Sequence, residues 1–405
     1  MQNIVIEKPY KFVPPHRGNV WPRIIRDFNL HARWLRNNEG VVDYECRHTE
    51  RLKASLDAGH GILLAPNHCR NADPIVMGWL SREVDSLVYA MASWHLFNQS
   101  WFTSFAIRRM GGFSINREGV DRAAINTAIE ILEKAERPLV IFPEGAVSRT
   151  NDRLHALLDG VAFIARTAAK KRAKAVEGGK VVIHPIALKY LFLGDIEEAV
   201  DGVLTEIERR FSWQPQRELP LLDRVLKVGH GLLCLKELEY FGATQQADIP
   251  DRLEGLINRL LQPLEKEWLD EEHTGSVVPR VKALRMQILP DMVQGNIDAE
   301  ERERRWRQLA DIYLAQQVSC YIPDYLTSHV SVDRLLEQVE RYEEDLTDIV
   351  RVHGNMKVII DVGEAMEVSP KRDRQATVDP IMSGIEQALT RMLDELAHES
   401  RTYDT

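Results

Sequence analysis

Short apolar runs alternate with helical stretches through the first half of the chain, and a long, almost wholly helical region follows. From Val20 to Asn37, Trp21, Ile24, Ile25, Phe28, Ala32 and Leu35 recur at helical spacing, with Arg23, Arg26, Arg33 and Arg36 among them. "VVDYEC" then reads as a strand, "TERLKASLDAG" as a helix ending at a glycine, and "GILLAP" as a second strand. After Pro74 a helix is expected to about Ser81, followed by the strand "SLVYAMA", a helical stretch rich in Trp and Phe, and "MGGFSINREG". Residues 121–136, "DRAAINTAIEILEKAE", form a patterned helix leading into "RPLVIFPEGAVSR". The helix "LLDGVAFIARTAAKK" precedes the strand "KVVIHPIALKYLF". Strands alternating with helices predict an α/β fold, a layered and largely parallel sheet flanked by helices.

Beyond Gly194 the alternation stops. Residues 195–353 are helical in pattern, as in "LPLLDRVLKVGHGLLCLKELEYF", "DRLEGLINRLLQPLEKEWL", "ERERRWRQLADIYLAQQV" and "SVDRLLEQVERYEEDL", with no evident fixed-period repeat. A strand-like segment, "MKVIIDVGEAMEV", and a helix, "DPIMSGIEQALTRMLDEL", then return. The expected organisation is an irregular arm and basic amphipathic helix over 1–39 and an α/β core over 40–194. A large helical insertion near the C-terminus (195–353) and a last core strand with a C-terminal helix (354–405) complete it.

Composition narrows the partners. With 405 residues, 44% hydrophobic and 28% charged, the chain reads as a soluble globular protein. A net charge of -9 argues against a nucleic-acid binder, which needs a basic face. Cys46, Cys69, Cys234 and Cys320 are scattered without a CxxC pair, as expected of reduced thiols in a cytoplasmic protein. Met1–Val13 lacks the apolar segment of a secretory signal, and no run approaches the roughly 18 apolar residues of a spanning helix. Any membrane contact is therefore expected to be peripheral, on the inner face. Lys8, Lys11, Arg17, Arg23, Arg26, Arg33 and Arg36 stand against only Asp27 over residues 8–36, together with Trp21, Phe28 and Trp34. That combination suits an anionic membrane surface; a helix packed on the core with solvated arginines is the alternative.

Candidate chemistry begins in "LLAPNHCRNADP" (63–74), where an apolar strand delivers His68 into a polar loop, with Asp73 five residues on. Alone the pair is weak, and Asp before Pro is also a helix-cap signal. It has company: Arg117 in "GGFSINREG", Glu144 and Gly145 in "IFPEG", and Pro185 in "VVIHPIALKY" all fall at or just past a predicted strand. In open α/β sheets ligands gather at that end.

In these blocks the sequence resembles the PlsC-like glycerolipid acyltransferase family. The NH-x4-D block is matched by Asn67, His68 and Asp73, and the glycine–arginine block by Gly111, Gly112, Phe113, Ile115 and Arg117. Phe142, Pro143, Glu144 and Gly145 match F-P-E-G, Pro185 the fourth block, and Gly363 and Glu364 the family's last turn. The resemblance covers roughly 40–194 and 355–400. It implies acyl transfer from acyl-CoA or acyl-ACP to a lyso-glycerolipid hydroxyl, most simply that of lysophosphatidate, with no bound cofactor and no metal.

By the same resemblance, His68 removes the hydroxyl proton and Asp73 orients and stabilises the imidazole. Arg117 forks the acceptor phosphate, and Glu144 contacts glycerol hydroxyls or positions Arg117. Two features depart from the family. F-P-E-G continues here with Ala146, Val147 and Ser148, so Arg149 is the candidate to replace the family's arginine two positions earlier. The helical insertion is also absent from the minimal family. Remaining alternatives are an acyl-Cys69 intermediate, a metal held by His68, Asp73 and Glu144, another lyso-lipid acceptor, and a non-catalytic lipid-binding or scaffold protein on this core.

Overall fold

The computed structural model describes residues 5–371 and 378–403; the first four residues of the expected arm, and parts of the expected C-terminal segment, lie outside them. The chain opens with α1 (Val20–Asp27), α2 (Leu30–Glu39), β1 (Val41–Arg47), α3 (Thr49–Asp57), β2 (Gly61–Pro66), α4 (Asp73–Glu83) and β3 (Tyr89–Ser93). A 3-10 turn (Trp94–Asn98), α5 (Trp101–Arg109), β4 (Gly112–Ile115), α6 (Arg122–Lys134), β5 (Leu139–Val140), α7 (Gly160–Ala175) and β6 (Val181–Phe192) follow. Next come α8 (Ile196–Arg210), α9 (Leu221–Phe241), α10 (Ile249–Leu269), α11 (Val277–Gln294), α12 (Ala299–Val318) and α13 (Val332–Thr347). The last elements are β7 (Met356–Val362), β8 (Met366–Glu367) and α14 (Pro380–Ala397). Two compact units result. One is Tyr10–Leu191 with Met356–Glu399; the other is Phe192–Asn355 with the described parts of Met1–Pro9 and Ser400–Thr405.

In the α/β unit the strands run in the order β1-β7-β6-β2-β5-β3-β4, with β8 antiparallel on β6. The pairs β1–β7, β6–β2, β2–β5, β5–β3 and β3–β4 are parallel. All six residues of β2 are buried, as expected for a strand covered on both faces. Leu63 and Ala65 face a core built with Ile131 and Leu132 of α6, Ala165 and Ala168 of α7, and Ile385 and Leu389 of α14. Gly61 lets α6 approach: a Cβ there would stand 2.1 Å from the Leu132 carbonyl oxygen. On β1, Tyr44 stacks on Trp79 of α4 with ring centroids 4.6 Å apart.

The single helix expected from Val20 to Asn37 is two. Asn29 adopts a left-handed conformation (φ 52°) between α1 and α2, and its side-chain oxygen accepts a bond from the Trp79 indole N–H at 3.1 Å. Apolar spacing continues across the break, so periodicity alone does not reveal it.

The helical unit carries a repeat that the amino-acid pattern conceals. Glu208 of α8 accepts Nε and Nη2 of Arg224 in α9 (2.8 and 2.9 Å) and the Gln216 backbone N–H (3.1 Å). Glu237 of α9 does the same with Arg252 of α10 (2.7 and 2.8 Å) and Gln245 N–H (3.1 Å). Glu265 of α10 repeats it with Arg280 of α11 (2.7 and 3.0 Å) and His273 N–H (3.2 Å). Arg224, Arg252 and Arg280 stand 28 residues apart. Each latch joins two successive helices and the loop between them. The unit is therefore periodic where a lack of repeat was expected.

Candidate active site

β6 outruns β2. The paired register ends at Pro66 opposite Ile186, while β6 continues to Phe192. Its backbone groups on that side need other partners. Asn67 provides the first set: its side chain accepts Leu188 N–H (2.7 Å) and donates to Leu188 C=O (3.1 Å). Asn151 repeats this two residues on, at Tyr190 (2.8 and 2.6 Å). The opening left where β2 stops is where His68 sits.

His68 is 7% exposed, and its peptide is fixed on both sides. Its N–H donates to Glu144 Oε1 (2.6 Å), and its C=O accepts Ser148 N–H (2.7 Å). The ring stacks on Phe142 (centroids 4.2 Å apart), and Nδ1 lies 2.9 Å from Asp73 Oδ2. With Nδ1 donating to the carboxylate, Nε2 is the basic nitrogen, and it has no partner among the described residues. Asp73 is fully buried at the start of α4, where the helix dipole favours its charge.

Asp73 does not cap that helix, contrary to the Asp–Pro signal. Ala72 occupies the cap position, and the carboxylate turns back into the loop. There Oδ2 accepts Arg70 N–H (2.9 Å), and Oδ1 accepts the Tyr190 hydroxyl (2.7 Å). Tyr190 was hidden in a strand that reads as core. Its only signal is a pair of polar side chains, Lys189 and Tyr190, inside an apolar run. Lys189 is buried against Asp152 in an ion pair.

Glu144 is held by backbone on both oxygens. Its second oxygen accepts His155 N–H (3.1 Å), so the two oxygens hold backbone, and the residue is 2% exposed. It holds the His68 peptide and makes no hydrogen bond or ion pair with Arg117 among the described residues. Burial, opposed by the two N–H groups and aided by the Asp73 charge, pushes its carboxyl up to about 8. Gly145 forms the turn after it: φ is 72°, its N–H bonds to Phe142 C=O (3.2 Å), and a Cβ would meet Leu158 at 2.4 Å. Arg149 is half-buried farther along this loop, at φ 60°.

Arg117 follows β4 at the same end of the sheet, with β5 and β3 between its strand and β2. It is half-buried without a hydrogen-bond or ion-pair partner among the described residues, and burial lowers its pKa. Asp121, a possible partner, instead accepts Tyr10 O–H, Asn116 N–H and Ala124 N–H. His95, missed in the Trp- and Phe-rich stretch, bonds to Ser93 Oγ (2.8 Å). Burial and nearby Arg117 lower it to about 4, so it is neutral at physiological pH.

The Cys69 thiol is buried, 3.9 Å from both Asp73 Oδ1 and Leu188 C=O. Among the described residues no group of three or more His, Cys, Asp or Glu side chains is placed to hold a metal ion. No helix among them is long and apolar enough to cross a membrane.

A buried base–carboxylate pair at the carboxyl ends of parallel strands, with a free cation farther along the same edge, suits proton removal beside an anionic group. Residues 44–189 match the Acyltransferase family. The chain is similar to the 1-acyl-sn-glycerol-3-phosphate acyltransferase of Streptococcus pneumoniae (strain ATCC BAA-255 / R6), at 35% identity over 178 residues. That match takes in 42% of this chain and 62% of the relative. Over residues 44–189, within the α/β unit, the chain is thus similar to the Acyltransferase family.

Proposed function

We propose that the protein transfers a fatty acyl group from a thioester donor, acyl-CoA or acyl-ACP, to the hydroxyl of a lysophospholipid. Lysophosphatidate is the first candidate acceptor. The observation that carries this reading is His68, clamped through its peptide and its Nδ1, with Nε2 left for a substrate. Nε2 takes the acceptor hydroxyl's proton as that oxygen attacks the thioester carbonyl. The carbon–sulfur bond then breaks, and the donor leaves as a thiol carrying the proton. Asp73 stabilises the imidazolium formed on the way, while Tyr190 and Arg70 N–H hold the carboxylate.

Arg117 supplies a guanidinium for the acceptor phosphate. Arg149 and the loop at Ala146 and Val147, where the family pattern is altered, bear on which headgroup is accepted. The acceptor is met at the inner face of a membrane that the protein touches peripherally. Transfer of radiolabelled acyl groups across several lyso-lipid acceptors tests this. We expect turnover with lysophosphatidate; turnover only with another lyso-lipid replaces the acceptor, and none with any overturns the enzymatic reading.

A further inference from the structure

Helix α5 contains no buried residue, although it connects two strands of the sheet. Trp101 and Phe102 are 79% and 64% exposed. Phe105 beside them meets Trp21 of α1 edge-on, with centroids 6.0 Å apart, so helices distant in sequence share one apolar surface. Trp21, Ile24 and Phe28, spaced for one face of α1, extend it and are all exposed. Single exposed apolar residues are ordinary, but a contiguous aromatic patch marks an interaction site.

The charge around it runs against the rest of the chain. Residues 86–117 contain Arg108, Arg109 and Arg117 and no acidic residue, and residues 10–36 contain a single acid, Asp27. Arg17 is paired with Glu130 and Glu136, and Arg26 with Asp27 and Asp85. Arg23 of α1 and Arg108 of α5 have no carboxylate partner among the described residues. A second copy of the chain docked isologously here would set these arginines against one another.

We propose that α5 and α1 together form a docking face for an anionic lipid surface. Trp101, Phe102, Phe105, Trp21 and Phe28 insert at the acyl boundary, and Arg23 of α1 and Arg108 of α5 meet the headgroups. The proposal deepens the lyso-lipid reading above by giving the acceptor a route. α5 packs on β4 and on the 3-10 turn holding His95, so docking sets the loop with Arg117 beside the headgroups.

The test is binding of the full-length protein to phosphatidylcholine vesicles with and without phosphatidylglycerol, in the absence of any acyl donor. We expect binding that requires the anionic lipid. The double variant Trp101→Ser/Phe102→Ser is expected to bind at least ~10-fold more weakly, since burying one such ring is itself a tenfold effect. Its thermal unfolding is expected to be unchanged, because both rings are already exposed. Undiminished binding by the variant overturns the proposal, as does failure of the unmodified protein to bind anionic vesicles. A dimer in sedimentation velocity that the variant dissolves also overturns it, assigning the face to a second copy. Because no acyl transfer is measured, failure here leaves the enzymatic reading standing, and an inactive protein that docks leaves this one standing.

Discussion

Glu144 shows how a conspicuous residue can work through its neighbours. Its two oxygens hold the peptides of His68 and His155, and its carboxyl is raised to about 8. The unfolded chain releases that proton near pH 4.5. The folded state therefore keeps a proton that the unfolded state has lost. Stability from this group is full below about pH 4.5 and is lost as pH rises through about 8. Glu144→Gln has no proton to release, so its melting temperature should fall less across that window; equal slopes in both proteins contradict the assignment. Tyr190 acts on the Asp73 carboxylate. Tyr190→Phe removes the hydroxyl that holds Oδ1, so the carboxylate is less firmly aimed at His68. We expect kcat to fall roughly tenfold, the size of one hydrogen bond to a charged group, with KM for the acceptor unchanged. An unchanged kcat would make Tyr190 purely structural.

Elements differ in how openly the sequence declares them. β2 is legible because a parallel strand buried on both faces appears as an unbroken apolar run. β6 and β7 are legible because they are mostly apolar and buried, whereas β1 is half-exposed and shows only as a short β-branched and aromatic segment. The α1–α2 break is not legible, since the apolar spacing runs on through Asn29, although asparagine takes the left-handed turn readily and its contact with Trp79 holds it there. His68 and Asp73 were legible by spacing, whereas Tyr190 and Asn151 act only because β6 outruns β2, which is a tertiary fact. The repeat escapes notice because it needs one Glu and one Arg per period, while the intervening residues vary. Its mechanics are testable in the Glu237–Arg252 latch, where Glu237 is fully buried. Arg252→Ala strands that carboxylate, and we expect a loss of about 3 kcal/mol, the low end for a broken buried pair because Gln245 N–H still holds one oxygen. Arg252→Lys should restore little, having no fork to match the two oxygens. Chemical unfolding measures both; a loss under about 0.5 kcal/mol, as for surface substitutions, would make the latch incidental.

At the scale of the whole molecule, the chemistry is laid out along one edge of the sheet. His68 follows β2 and Arg117 follows β4, with two strands between, or about 14 Å of sheet width at the usual spacing. An acceptor reaching both must offer a hydroxyl at one end and an anion toward the other. Arg117→Ala should therefore raise KM for a phosphate-bearing acceptor by ~10- to 150-fold with kcat nearly unchanged, and unchanged acceptor kinetics would remove Arg117 from the site.

The account as a whole rests on His68 as the base. Glu144 and Ser148 hold its peptide, not its ring, so His68→Ala keeps those bonds and should keep the fold. The deciding measurement is acyl transfer to lysophosphatidate by His68→Ala, with its melting temperature taken on the same preparation. We expect a melting temperature close to that of the unmodified protein and a rate lowered by ~10²–10⁴. A folded His68→Ala protein that turns over at the full rate would contradict the account.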